Sequence, residues 1–290
     1  MPNLAFSFVT LIAISCVGIT WTESCLSSPA NSKPPTFRSE NDTVKHFDFK
    51  KPSQLSALKT WWTDTSFVEN GYLNCPIGAG LHKGLGKKLF FVDGDVNPSI
   101  DRLSDLNNKR PTSATMEFKL WLDENFQKDG AKNEIGKFSG FEGIYDQQAG
   151  WGGKTVTEEY QNSWSVRIAH SAENSDGQVP IGLYVYHPGM LGKYGTIINP
   201  NFSLKKQQFY LIQLHIELND IGKSNGVLVL SVDGSEIYRS ETWLLRTHPD
   251  VRIVSAWLDV YIGGTTPSKH DTYVLMDDLK ISYLTPLAPP

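Results

Sequence analysis

Seven segments of the chain alternate apolar and polar side chains with a period of two, which is the pattern of half-buried β-strands. In residues 115–122, Met116, Phe118 and Leu120 share one face, and Glu117 and Lys119 share the other. The remaining segments are 164–170, 182–187, 209–218, 227–232, 252–262 and 273–284. Only 53–58 indicates a short helix. Because no helices are interleaved with the strands, the pattern predicts an all-β chain, an antiparallel β-sandwich or jelly roll.

Two dipeptides support this prediction, since Asn225-Gly226 and Asp233-Gly234 flank the segment 227–232 as hairpin turns would. A third turn signal is Asp93-Gly94. An antiparallel sandwich buries one face of each strand and leaves the other free to line a surface. If the sheet is curved, that surface becomes a concave groove, in which we expect a substrate to bind.

The N-terminal segment predicts export. Residues 4–20 are apolar and uncharged, too short for an ordinary membrane span, and a polar stretch follows them. We therefore predict a secretory signal peptide at 1–24, a polar lead-in at 25–50 and one β-jelly-roll domain at 51–290. The alternative is a retained membrane anchor. With a cleaved signal, the protein is secreted, extracellular and free of the membrane.

An oxidising compartment allows two modifications. Cys25 and Cys75 remain after signal removal and could pair, although a free Cys25 fits as well. Asn41 and Asn201 each begin a sequon and would be glycosylated in a eukaryotic host.

Composition and charge exclude several classes of protein. The hydrophobic fraction of 40% is enough for a folded core. There are 27 Lys and Arg residues against 31 Asp and Glu residues, so no basic footprint for nucleic acid exists. No cysteine or histidine spacing indicates zinc, and no acidic loop indicates calcium. We expect no metal, no cofactor and a monomer.

The outward faces of the strands carry a recurring chemistry of cations, phenols, amides and indoles. These positions are Lys119 and Trp121, Ser165 and Arg167, Tyr184 and Tyr186, Gln213 and His215, and Trp257 and Tyr261. Any single strand of this kind is more often a solvated sheet surface than a site. The same chemistry on several strands, together with a lysine between glycines at Lys137, favours a site.

Three short motifs, in order, resemble polysaccharide lyase family 14. They are Gly136-Lys137 followed by Gly140-Phe141, Ser165-Val166-Arg167 and Tyr184-Val185-Tyr186. That family contains alginate lyases and polyglucuronate lyases, and the C-terminal strands also resemble the related family 20 glucuronan lyases. The resemblance covers about residues 85–284. It implies a β-jelly roll, a lyase activity on an acidic polysaccharide, and catalytic roles for Lys137, Arg167, Tyr184 and Tyr186.

The reaction of a polyuronate lyase explains why these residue types belong together. A lyase removes the proton at C5 of a 1,4-linked uronate, which is feasible only when the adjacent carboxylate is neutralised. Arg167 suits that carboxylate because its guanidinium makes two parallel hydrogen bonds, and Ser165 can assist it. Lys137 would be a second cation. A tyrosine needs nearby positive charge to act as a phenolate base.

By the resemblance, Tyr184 is the acid/base group and Tyr186 contacts the substrate, while His215 is a rival base. Lys119, Trp121, Gln213, Trp257 and Tyr261 would bind sugar rings or carboxylates, as strand parity predicts. Two other classes of protein stay open. One is a non-catalytic lectin-like sandwich, and the other is a glycoside hydrolase with Glu117 and Glu217 as its carboxyl pair. Among polymers, mannuronate-rich alginate is favoured over guluronate-rich alginate and glucuronan.

Overall fold

The structure of the protein is a computed structural model that describes residues 42–92, 110–144, 163–190 and 192–284. These residues form two stacked antiparallel sheets that fall within one compact unit. None of the helices in these ranges is long and apolar enough to cross a membrane.

The eight-stranded sheet consists of β1 (Asp42–Phe47), β3 (Phe67–Glu69), β4 (Tyr72–Ile77), β6 (Ser113–Leu122), β11 (Phe209–Glu217), β12 (Gly226–Val232), β13 (Ser235–Trp243) and β15 (Thr272–Leu284). Its order is β13-β12-β11-β6-β15-β4-β3. The long strand β15 has β6 on one side, and on its other side it pairs first with β4 and then with β1.

The seven-stranded sheet consists of β2 (Lys59–Thr60), β5 (Lys83–Phe90), β7 (Gly136–Ile144), β8 (Ser163–His170), β9 (Val179–Tyr186), β10 (Thr196–Leu204) and β14 (Ser255–Tyr261). Its order is β10-β9-β8-β7-β14-β5-β2. Every pairing in both sheets is antiparallel. The predicted all-β sandwich of the jelly-roll type is confirmed.

The core lies between the sheets and follows the alternation of the sequence. On β6, Met116, Phe118 and Leu120 are buried, and on β9, Leu183 and Val185 are buried opposite them in the same hydrophobic cluster. Burying an apolar side chain of this size contributes about 1.5–3 kcal/mol, so the inward faces fix the register of each strand. The outward face of each sheet is left to carry other chemistry.

The strands that the alternating sequence pattern did not predict lie mostly at sheet edges. β13 is polar and half-exposed along its length, and β10 contains Asn199-Pro200-Asn201 at a register shift, so neither shows a continuous apolar face. β1 falls inside the segment predicted as a polar lead-in, and its Phe47 is buried against the core. The predicted helix at 53–58 is a 3-10 helix, Pro52–Ala57.

The predicted turns differ in their outcome. Asp233 and Gly234 have φ values of 48° and 78° and form the two-residue hairpin between β12 and β13, as expected for a type I′ turn. Asn225 instead ends the longer connection 218–225, where its side chain bonds Asp220. Asp93-Gly94 lies outside the described residues.

The structure describes one residue of each predicted modification. Cys75 is completely buried on the inward face of β4 and has no cysteine partner among the described residues, so its pairing with Cys25 stays a prediction. Because buried and less buried positions alternate along β4, the thiol of Cys75 points into the apolar core. Cys25 and Asn41 lie outside the described residues. Asn201 is exposed at the irregularity in β10, and its glycosylation stays a prediction.

Candidate active site

The outward face of the seven-stranded sheet brings the three short motifs side by side. Arg167 on β8 lies opposite Tyr184 on β9, and Ser165 lies opposite Tyr186. Lys137 on β7 lies between Ala169 on β8 and Tyr261 on β14. Opposed side chains on one face of an antiparallel pair lie about 5 Å apart at Cβ. Residues distant in sequence therefore form one continuous cluster.

The two glycines of the lysine motif allow strand β7 to lie close against β8. A Cβ atom at Gly136 would clash with the ring of His170, and a Cβ atom at Gly140 would clash with the backbone of Val166. A register shift between Lys137 and Gly140 accompanies this close approach. The glycines therefore set the position of Lys137 against β8.

Lys137 is partly buried beneath two phenol rings. Its Nζ donates a hydrogen bond to the Ile135 carbonyl at 2.7 Å, and it lies 4.7 Å from the centre of the Tyr184 ring and 5.2 Å from that of Tyr261. Burial lowers the pKa of Lys137 to about 7, and the charge of Arg167 adds to that effect. Near neutral pH a substantial fraction of this lysine is a free amine.

Tyr184 is a buried phenol, exposed by only 6%. Its oxygen accepts a hydrogen bond from the Gly195 amide at 3.0 Å and lies 3.4 Å from the Tyr186 hydroxyl. We expected nearby cations to favour a phenolate, but burial instead raises the pKa of Tyr184 well above its usual range. The physical reason is that loss of hydration destabilises the phenolate by more than the positive charge of Arg167 stabilises it. In the free protein, Tyr184 is therefore a neutral phenol.

Arg167 is held in place by a buried carboxylate and an indole. Its Nη1 lies 3.5 Å from Oδ2 of Asp259, and its guanidinium lies 4.4 Å from the Trp257 ring. Its Nε is buried and has no hydrogen-bond partner among the described residues. Asp259 also pairs with Lys83, whose Nζ is 2.9 Å from Oδ1. The guanidinium is therefore fixed in position and retains a donor.

A second buried ion pair lies on the same face. Lys88 Nζ is 2.5 Å from Glu142 Oε1, both side chains are 1% exposed, and Ser255 also donates to Glu142 at 2.6 Å. Lys88 lies 3.7 Å from the centre of the Trp61 ring and 4.6 Å from that of Trp257. Burial lowers the pKa of Lys88.

Of the predicted site residues, seven meet on this face: Lys137, Ser165, Arg167, Tyr184, Tyr186, Trp257 and Tyr261. The other four, Lys119, Trp121, Gln213 and His215, lie on the other sheet, across the hydrophobic core. Placing them in the same site was wrong, because strand parity separates the two faces of a strand but does not say to which sheet the strand belongs.

Each of the four has neighbours on its own sheet. Lys119 pairs with Asp278 at 3.4 Å, Trp121 stacks on Tyr273, and Gln213 bonds Glu117. The His215 ring lies 2.8 Å from the Thr115 hydroxyl and 3.1 Å from Glu217.

The carboxyl pair of a glycoside hydrolase is also not formed by the predicted residues. Glu117 pairs in register with Gln213, and Glu217 with Ser113, four residues along the strand from Glu117. Four residues of strand span about 13 Å, beyond the separation that a retaining or inverting hydrolase uses. His170 is three residues from Arg167 on β8 and therefore points to the opposite side of the sheet; its ring lies against Phe138 in the interior, where burial lowers its pKa to about 3.

The structure adds residues that sequence reasoning missed. Lys83 and Lys88 lie on β5, where glycines and lysines interrupt the apolar alternation. Trp62, which is 57% exposed, lies 4.2 Å from Lys83 Nζ and stacks on Tyr261. Asp259 shares the outward parity of Trp257 and Tyr261, and its pairing with Arg167 is visible only in the folded sheet. The parity that Asp259 shares with Trp257 and Tyr261 was the one sequence signal that could have identified it as a site residue.

Two other features lie apart from this face. A cavity of about 460 Å³ opens near Phe67, Asn74, Asp123 and Tyr273 on the other sheet, and no cation is among its described lining residues. Within the described ranges, no group of three or more His, Cys, Asp or Glu side chains is arranged to hold a metal ion. The cationic and phenolic cluster is therefore the better candidate for an active site on acidic sugars.

Solved structures with the same fold support the assignment of the architecture. Alginate lyase Aly36B matches with a TM-score of 0.62 at 15% identity, over 83% of this chain and 96% of that one. The PL-14 alginate lyase from Aplysia kurodai matches with a TM-score of 0.54 at 14% identity, over 84% and 90%. Alginate lyase vAL-1 from Chlorella virus matches with a TM-score of 0.54 at 14% identity, over 78% and 88%.

A search of curated protein sequences gave no match. The family model described as polysaccharide lyase 14, however, matches residues 99–279, which is more than half of the chain and includes all three motifs. The resemblance inferred from those motifs is confirmed. The chain belongs to the polysaccharide lyase 14 family and is a polysaccharide lyase.

Proposed function

We propose that this lyase cleaves a 1,4-linked polyuronate, mannuronate-rich alginate, by β-elimination and releases unsaturated oligouronates. The observation that carries the proposal is the meeting of Lys137, Arg167 and Tyr184 on one face of one sheet. A cation, a basic amine and a neutral phenol are the three groups that the elimination requires. The solved structures with the same fold are those of alginate lyases, which supports the same class of substrate.

In this proposal Arg167 neutralises the carboxylate of the sugar that loses its proton. Its position is fixed by Asp259 and Trp257, and its buried Nε has no hydrogen-bond partner in the part of the chain that the structure describes. A guanidinium held before the substrate arrives needs little reorganisation as charge develops on the carboxylate, which is the condition for electrostatic stabilisation of the transition state. Ser165, buried beside it on the same strand, is the supporting group.

Lys137 and Tyr184 divide the two proton transfers. Neutral Lys137 accepts the C5 proton, the C5–H electron pair forms the double bond between C4 and C5, and the C4–O bond breaks. Tyr184 donates its proton to the departing oxygen. A base works best with a pKa near the working pH, which matches the lowered pKa of Lys137. An acid must stay protonated until the leaving group departs, which matches the raised pKa of Tyr184. Proton exchange with solvent then restores them.

The arrangement favours mannuronate over guluronate. Lys137 lies against the ring of Tyr184, so proton removal and leaving-group protonation occur on the same face of the sugar. In a 1,4-linked mannuronate the C5 hydrogen and the C4 oxygen are on the same face of the ring, whereas guluronate, its C5 epimer, has them on opposite faces. Glucuronate shares the mannuronate arrangement at these two carbons and is the closest competing substrate.

The test is the ultraviolet absorbance of the conjugated product with polymannuronate, polyguluronate and glucuronan in separate reactions. We expect the fastest rise with polymannuronate and no rise with the Arg167→Ala variant. A flat trace with all three polymers, with polymer still bound in a pull-down, would identify a lectin-like protein instead. A fastest rise with glucuronan would keep the mechanism and change the substrate.

We also propose that the protein is secreted and acts outside the cell as a monomer. The apolar, uncharged segment 4–20 followed by a polar stretch supports export. Expression in a eukaryotic host, followed by N-terminal sequencing of protein from the medium, tests the proposal. We expect a mature chain that starts near residue 25. Retention in the membrane fraction would indicate an anchor.

A further inference from the structure

Asp259 is a buried carboxylate at the centre of the cationic cluster. It is 1% exposed, and its two oxygens face different cations: Oδ1 lies 2.9 Å from Lys83, and Oδ2 lies 3.5 Å from Arg167. Both cations are themselves nearly buried, on strands β5 and β8, which lie on opposite sides of the pair β7 and β14. A single carboxylate therefore joins side chains from separated strands across the outward face.

The strand register places Asp259 beside Lys137. Lys137 lies between Tyr261 on β14 and Ala169 on β8, and Asp259 and Arg167 are each two residues earlier on those strands. Residues two apart share a face and lie about 7 Å apart along a strand. Lys137 therefore has Asp259 and Arg167 as neighbours on one side, close enough for both charges to act on its amine in a partly buried site.

We propose that Asp259 is a positioning residue of this lyase, which holds Arg167 and Lys83 against the outward face and sets the charge around Lys137. The proposal rests on the polyuronate lyase function for its consequence in catalysis, but its structural part does not. Without Asp259, two buried cations would repel each other and the amine between them, and Arg167 would lose the partner that fixes its guanidinium.

The charged groups that face Lys137 come from every neighbouring element. Arg167 from β8 and Lys83 from β5 disfavour its protonated form, whereas Asp259 from β14 and Glu134, which precedes β7, favour it. The Tyr184 and Tyr261 rings cover it and are neutral. The ring of His170, on the other side of the sheet, is kept neutral by burial. Asp259 is thus one of two anions that oppose the two cations.

A matched control exists on the same face. Glu142 is equally buried and pairs with a lysine, Lys88, but it is not among the charged groups that shift the pKa of Lys137 most strongly. Replacing Asp259 or Glu142 by its amide removes one buried negative charge in each case. If charge around Lys137 is what matters, only the change at Asp259 should alter the titration of Lys137.

The experiment is an NMR titration of Lys137 in protein with isotope-labelled lysine, with the resonance assigned by its loss in Lys137→Met. In Asp259→Asn we expect the midpoint of Lys137 to fall by about one pH unit, and in Glu142→Gln we expect no change. We also expect kcat/KM on polymannuronate at its pH optimum to fall about 10- to 100-fold in Asp259→Asn, because Arg167 is no longer held. An unchanged midpoint in folded Asp259→Asn would overturn the proposal.

Lys83→Met keeps the test decisive if Asp259→Asn does not fold. In that variant Asp259 still pairs with Arg167, so no buried charge loses its last partner, and one cation near Lys137 is removed. The midpoint of Lys137 should then rise, and an unchanged midpoint would overturn the proposal. Because the titration needs no substrate, its failure is distinguishable from failure of the protein to cleave polyuronates.

Discussion

Replacing Lys137 by methionine should stabilise the fold at low pH, although it removes the group that we propose as the catalytic base. The folded protein holds the pKa of Lys137 at about 7, against 10.5 for an ordinary lysine. Between these values the unfolded chain binds more protons, so the wild-type free energy of unfolding rises with pH, and below pH 7 the lysine destabilises the fold by its full amount. Methionine has a similar shape and no charge.

The magnitude follows from the pKa difference. Each pH unit in the window between the folded and unfolded pKa values is worth about 1.4 kcal/mol. Between pH 7 and pH 9 the wild type should gain about 1–3 kcal/mol relative to Lys137→Met, the lower part of the range allowing for contact of the half-buried side chain with water.

Urea unfolding at pH 6, 7, 8 and 9, followed by tryptophan fluorescence, measures both proteins under matched conditions. Contributions from other titrating groups cancel in the difference between wild type and variant. We expect the advantage of Lys137→Met to be largest at pH 6 and to shrink steadily above pH 7. A difference that is independent of pH would refute the claim that this lysine is neutral near pH 7.

Three further predictions concern the same face. Tyr184→Phe should fold as the wild type does but lose at least about a hundredfold in kcat, because no proton reaches the leaving oxygen; near-normal turnover would exclude Tyr184 as the acid. Glu142→Gln should lower the free energy of unfolding by about 3–5 kcal/mol, since Lys88 is left buried without its partner, and denaturant melts check this. Trp62→Ala should raise KM severalfold while Trp121→Ala, on the other sheet, should not; equal effects in steady-state assays would contradict the placement of the site.

The fold was predictable because apolar and polar side chains alternate along its central strands. β6 and β11 each have an unbroken apolar face, and β15 alternates on both sides of a register shift between Asp277 and Lys280, so burial and sequence pattern agree. β5 and β13 did not show this alternation. In β5 the outward positions are lysines and glycines that depend on partners from other strands, and β13 is an edge strand with little to bury.

The site was predictable only in part, and there is a physical reason why some of its residues were predicted and others were not. Lys137, Arg167 and Tyr184 were identified by local motifs, and strand parity placed Arg167 and Tyr184 on outward faces. Whether two outward faces belong to the same sheet depends on strand order, which no local pattern encodes; for this reason Trp121 and His215 were assigned to the wrong sheet. The pKa of Tyr184 was also expected to be lowered, because its burial could not be seen before the strands were assembled.

Chemical rescue of Lys137→Ala measures the central claim most directly. The variant is assayed on polymannuronate by the absorbance of the unsaturated product, without and with small primary amines added to the solution. If Lys137 removes the C5 proton, activity should be lost in the variant and partly restored in proportion to added amine, while Arg167→Ala stays inactive under the same conditions. Substantial activity in Lys137→Ala without amine would contradict the account and return the role of base to a tyrosine.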